Sequence, residues 1–174
     1  MNITRPKENT RHGFALVELL VAIGIIVILS VSLLFQQNKF DSSVQITNIA
    51  YEIATVIQQA QRYGASSVAG GFTDTDVAYG VYFEISNPKN VILFRDSDKD
   101  SQFDPAEEIQ RYTISGQTNI SAISTSGTSR TRVSIVFLRP DPEPSTPARI
   151  IIENDRETRT IEVSRTGQVQ VKNN

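Results

Sequence analysis

The sequence predicts an α+β protein: a long N-terminal α-helix, transmembrane in its first half, packed through its second half on an antiparallel β-sheet head. Three observations carry that expectation. Residues 14–35 read FALVELLVAIGIIVILSVSLLF, with Glu18 as the one ionisable side chain. Residues 44–60 place apolar side chains at offsets of three and four, the period of an amphipathic helix. Beyond residue 65 the chain changes to short β-branched and aromatic runs, separated by turn signals such as Asn87-Pro88 and Thr166-Gly167.

A chain of 174 residues buries one respectable core and leaves length for one appendage. The formal charge of −2 conceals a split: the first thirteen residues carry +2, through Arg5, Lys7 and Arg11 against Glu8, and the remainder −4. A general nucleic-acid binder shows the opposite sign. The absence of cysteine excludes disulfides, thiolate metal sites and cysteine nucleophiles. With His12 as the one histidine and no tryptophan, the catalytic inventory is thin.

The first half of the helix comes next in the chain. The 22 residues from 14 to 35 reach roughly 33 Å as a helix, enough for a hydrocarbon core of about 30 Å. An ordinary secretory signal has a shorter apolar region followed by a small-x-small cleavage site, and neither property is present. The basic flank stays cytoplasmic, so residues after 35 are expected outside the cytoplasm. Glu18 needs compensation, because a carboxylate in a lipid-embedded helix costs on the order of a few kcal/mol at mid-span. It either lies at headgroup level, or stabilises the positive end of the helix dipole by about 0.3–1 kcal/mol, or has a partner.

The run RHGFALVELLVAIGIIVILS resembles the class III signal of type IV pilins and type II secretion pseudopilins. The resemblance implies a cut after Gly13 by a prepilin peptidase, N-methylation of Phe14, and an assembly role for Glu18. It divides the chain into a leader (1–13), a transmembrane and assembly half of the helix (14–35), an amphipathic half (36–64) and a β-rich head (65–174). The implied partners are the peptidase, other pilin or pseudopilin subunits, an inner-membrane assembly platform and the lipid bilayer. The implied location is the bacterial inner membrane, single-pass with the head extracytoplasmic, and then a pilus or pseudopilus filament. The physics agrees. Cleavage leaves a cationic amine on Phe14, and Glu18 of a neighbouring subunit is a suitable counter-ion, so the pair is neutral only when subunits are correctly staggered.

With no proline from 14 to 65, one nearly continuous helix to about Tyr63 is expected, with Gly64 as its stop. The stripe Val44, Ile46, Ile49, Ala50, Ile53, Val56, Ile57 and Ala60 packs against the head's own sheet or forms a groove for a partner. Strands are expected at 77–85, 91–95, 109–114, 133–138, 149–153, 160–164 and 169–172, in antiparallel meanders. Residues 65–76 read as a loop, and the Ser/Thr/Gly-rich 115–129 as a loop or an irregular edge. Residues 139–147, with four prolines, read as a stiff hairpin excursion between two strands. This order of elements resembles the GspH/FimT-like minor pilins and pseudopilins, with the RPDPEPSTP stretch standing where a tight glycine-bearing turn is expected.

One motif in the head carries candidate chemistry. Asp96, Asp98, Asp100, Gln102, Asp104 and Glu107 occupy positions 1, 3, 5, 7, 9 and 12 of a twelve-residue loop, the ligand spacing of an EF-hand calcium loop, with Gln102 contributing its carbonyl. Against a true EF-hand, Ser101 stands where glycine permits the sharp bend, and the flanks VILF and IQRYTI read as strands. The choice is Ca²⁺ in a hairpin that borrows the spacing, or a solvated acidic turn. Some FimT-like minor pilins bind DNA, which makes Arg156, Arg159 and Arg165 candidate DNA contacts; cross-strand charge pairs are the favoured reading. No phosphate-cradling glycine loop and no serine paired with a base is present. The expectation is a structural filament subunit and not an enzyme, with a filament-borne binding module for DNA uptake or adhesion as the alternative.

Overall fold

The computed structural model describes residues 16–65, 77–138 and 143–173, without the side chains of residues 33–41. The expected loop at 65–76 and the proline-rich residues 139–142 thus lie almost wholly outside the described residues, as do Gly13 and Phe14. The chain forms two compact units, Met1–Lys39 and Phe40–Asn174. The helix α1 (Leu16–Ala65) contributes to both.

In the first unit α1 is apolar on every side, and its described large apolar side chains are exposed, from 74% at Leu16 to 46% at Val31. Glu18 sits in the first turn, where unsatisfied backbone N–H groups favour a carboxylate. Ser30 turns its hydroxyl inward, donating to the Ile26 carbonyl at 2.7 Å. The membrane span expected over residues 14–35 is not met among the described residues, where no helix is long and apolar enough to cross a membrane. Residues 14 and 15 and the side chains of 33–35, which the expected span includes, lie outside the described residues.

In the second unit α1 becomes one-sided. Ile46, Ile49, Ala50, Ile53, Val56, Ile57 and Ala60 are buried, whereas Val44, expected in the same stripe, is exposed. Nine strands follow among the described residues, in two antiparallel sheets where one was expected. The first sheet joins β1 (Ala78–Glu84), β2 (Asn90–Asp96), β3 (Glu108–Thr113) and β6 (Arg132–Phe137), in the order β3-β2-β1-β6. The second joins β4 (Asn119–Thr125), β5 (Thr128–Arg130), β7 (Ala148–Glu153), β8 (Thr158–Val163) and β9 (Val169–Asn173), in the order β5-β4-β7-β8-β9. Val81, Phe83, Leu93, Ile135 and Phe137 from the first sheet share one core with Ile120, Ile123, Ile150, Ile152 and Ile161 from the second and with the helix stripe.

The segment 115–129, expected as a loop or an irregular edge, is largely the hairpin β4–β5, with β5 at the edge of its sheet. A bulge between Ile120 and Ala122 puts Ile120 and Ile123 three residues apart yet both buried, which hides the two-residue period of a strand. Ser126 and Gly127 both take positive φ, the geometry of a tight two-residue hairpin turn. The proline-rich segment does fold back, since Phe137 bridges Pro144 and the Ser145 amide donates to the Val136 carbonyl at 2.7 Å. It then delivers the chain to the other sheet, so it connects sheets and is more than a hairpin between neighbours.

Gly64 is a packing residue as well as a helix-end residue. A Cβ there would lie 2.6 Å from the Phe137 carbonyl oxygen and 3.0 Å from the Phe137 Cβ. Because the obstruction is backbone of β6, it cannot swing aside. Gly64→Ala is expected to destabilise the second unit by about 1–3 kcal/mol. Gly24→Ala, where nothing lies within 4 Å, is expected to be neutral or slightly stabilising. Thermal unfolding followed by circular dichroism separates the two.

Candidate functional site

The acidic residues lie in the connection from β2 to β3, and the sheet dictates how that connection folds. Gly80 leaves room on the outer face of β1 for the Phe94 ring, which a Cβ would approach at 2.7 Å. Against that face the loop lays Phe103, 4.8 Å from the Tyr82 ring centroid and 5.5 Å from that of Phe94. This aromatic anchor holds a loop that otherwise consists of repelling charges; from 95 to 108 there are six acidic and two basic side chains. The short 3₁₀ turn Pro105–Glu107 then brings Glu107 back toward the end of β2.

The result selects three of the six residues singled out by spacing. A carboxylate oxygen from each of Asp96, Asp98 and Glu107 lies within 4.8 Å of the other two. Asp96 is completely buried: its Oδ2 accepts from the Ser101 amide at 3.1 Å, and its Oδ1 has no hydrogen-bond partner among the described residues. Asp98 is exposed and accepts from the Asp100 amide at 3.2 Å. Glu107 accepts from the amides of Ser97 at 2.6 Å and Asp104 at 3.4 Å, spanning the mouth of the loop. Asp100 instead faces the Gln102 amide at 2.7 Å, and Asp104 is outside the three-residue group. Burial pushes the Asp96 carboxyl above the ordinary aspartate range. The Ser101 hydrogen bond opposes that rise, and the charge of Glu107 adds to it.

Ser101, which replaces the expected glycine at position 6, takes φ 62°, and Lys99 takes φ 64°. The sharp bend is thus made by non-glycine residues in the left-handed region, at a cost of roughly 1–3 kcal/mol each.

The three candidate DNA contacts do not converge. Arg156 and Arg165 are exposed, in the turns before and after β8, at opposite ends of that strand. Arg159 is only 8% exposed. It donates to Glu157 Oε2 at 2.7 Å, Thr47 Oγ1 at 3.3 Å, Ser43 Oγ at 3.3 Å and the Thr158 carbonyl at 3.0 Å. It ties β8 to α1. The sequence offered one faint sign of this network, Glu157 and Arg159 two apart on one strand face. Likewise missed were Phe103, a lone aromatic among acids, and Gln59, which accepts from the Tyr112 hydroxyl at 3.1 Å and so joins α1 to β3.

Known proteins supply the remaining context. The family described as type II transport protein GspH matches residues 45–167, and the prokaryotic N-terminal methylation motif matches residues 9–34. None of the curated proteins matches the chain. Among solved structures, the chain is similar to the minor pseudopilin EpsH from the type 2 secretion system of Vibrio cholerae. The two are 11% identical with a TM-score of 0.44, over 76% of this chain and 96% of that one.

Because Arg159 holds the interior together, Arg159→Ala is expected to lower stability by about 1–3 kcal/mol. Arg156→Ala and Arg165→Ala should stay within about 0.5 kcal/mol of the parent. Denaturant unfolding of the three variants checks this.

Proposed function

The chain belongs to the GspH family of type II transport proteins, which are filament subunits and not enzymes, and from this we propose that it is a minor pseudopilin. It is a structural subunit that packs its N-terminal helix into a secretion filament together with other pseudopilin subunits.

The observation that carries the reading is the exposed, all-round apolar run from Leu16 to Val31. Each such side chain contributes roughly 1.5–3 kcal/mol when buried, and a contiguous apolar surface of this extent marks an interaction site. A helix apolar on all sides has no solvent face, so its partners must surround it. Packed helices of other subunits do this in the filament. Before assembly, the stretch keeps the protein membrane-associated.

Cleavage after Gly13 by a prepilin peptidase and methylation of Phe14 complete the reading; the match of the methylation motif over residues 9–34 supports both. The new Phe14 amine pairs with Glu18 of a neighbouring subunit. Either charge alone in an apolar bundle is penalised, so the pair selects one stagger. The assembly platform of the inner membrane then draws subunits in with that register. The binding-module alternative gains no support from the described arginines, of which Arg159 is internal.

The test is Glu18→Ala. Leader removal should proceed as in the parent, while incorporation falls at least about tenfold, equivalent to about 1.4 kcal/mol per subunit addition. Comparing filament and membrane fractions by immunoblot reads both quantities. Incorporation at the parent level contradicts the proposed register.

A further inference from the structure

We propose that the β2–β3 loop binds one calcium ion through Asp96, Asp98 and Glu107. The inference does not depend on the filament reading.

It rests on two independent features. The first is Asp96. A fully buried carboxylate whose Oδ1 has no donor among the described residues is costly unless a positive charge meets it. The second is convergence. Oxygens from three carboxylates lie within 4.8 Å of one another, so a point among them lies no more than about 2.8 Å from each, close to a calcium–oxygen bond of about 2.3–2.6 Å. One cation at their centre reaches all three, and replaces mutual repulsion with attraction.

The chemistry selects the ion. All donors are hard oxygens, with neither imidazole nor thiolate, which favours calcium or magnesium over zinc or copper. Magnesium demands a compact octahedron at about 2.0–2.1 Å and gives up water reluctantly. A loop whose irregularly placed carboxylates open to solvent at Asp98 suits the larger ion. Asp100 and the Gln102 carbonyl, at positions 5 and 7 of the loop, and solvent are available for the remaining positions. The frame is already formed: Phe103 anchors the loop on Tyr82 and Phe94, Ser101 makes the bend, and Ser97 and Asp104 amides fix Glu107. Two strands flank the site, so this is a hairpin with the ligand spacing of a helix–loop–helix motif, and no helix opens on binding.

The experiment uses the full chain in detergent micelles, stripped of metal with a chelator. Calcium chloride is titrated by calorimetry, and thermal unfolding is followed with and without calcium. The expected result is one calcium per chain with a dissociation constant of about 10⁻⁵–10⁻³ M, and a melting temperature that rises with calcium. Magnesium should bind at least about tenfold more weakly. Asp98→Asn keeps side-chain shape at an exposed position, so it should melt at or above the parent temperature in chelator and lose at least about tenfold in calcium affinity. Glu107→Gln should lose as much affinity but melt below the parent in chelator, because one of its two amide-accepting oxygens becomes an NH2 group. Absence of heat and of a melting shift at millimolar calcium overturns the proposal. So does parent-level calcium affinity in both variants, or an equal response to magnesium.

Discussion

Both sheets of the second unit bury their inner faces on one strip of helix. Ile46, Ile49, Ala50, Ile53, Val56, Ile57 and Ala60 lie in the same core as Val81, Phe83 and Leu93 of one sheet and Ile120, Ile150 and Ile161 of the other. A lone helix of that length is marginal in water, and a sheet with one apolar face needs a cover. Each therefore supplies what the other lacks. Polar contacts at the edges fix the arrangement: Arg159 reaches Ser43 and Thr47 from one sheet, and Tyr112 reaches Gln59 from the other. Gly64 lets the end of α1 approach β6 closely enough for Tyr63 to pack edge-on against Tyr79, 5.6 Å between centroids.

The same hydrophobic effect operates twice along α1, with different partners. From Ile46 onward the apolar residues occupy one face, and the protein's own strands cover them. Up to Val31 they occupy every face, and those described are exposed. Membership of the GspH family explains that contrast as a division between folding and assembly. Glu18 is the exception in that half, and it lies within the stretch that the methylation motif matches.

The helix was legible because its signals are redundant: seven buried stripe positions at offsets of three and four, and no proline. Strands such as β1 and β2 were legible from aromatic and β-branched runs. β4 was not, since NISAIST carries its buried isoleucines across a bulge and looks like a polar linker. The division into two sheets was also hidden, because strand order depends on long-range pairing that no local pattern encodes. At the acidic loop, spacing identified the right neighbourhood, but backbone geometry chose Asp96, Asp98 and Glu107 and turned Asp100 toward Gln102. Arg159 shows the reverse limit. Charge alone suggested a surface contact, while its register on β8 aims it at α1.

The central claim is that the apolar half of α1 becomes an assembly surface once cleavage gives it a charged N-terminus facing Glu18. Intact-mass analysis of the chain purified from its filament tests this most directly. The account predicts a chain that begins at methylated Phe14. A chain that retains Met1, or one that is cut beyond Phe35, contradicts it.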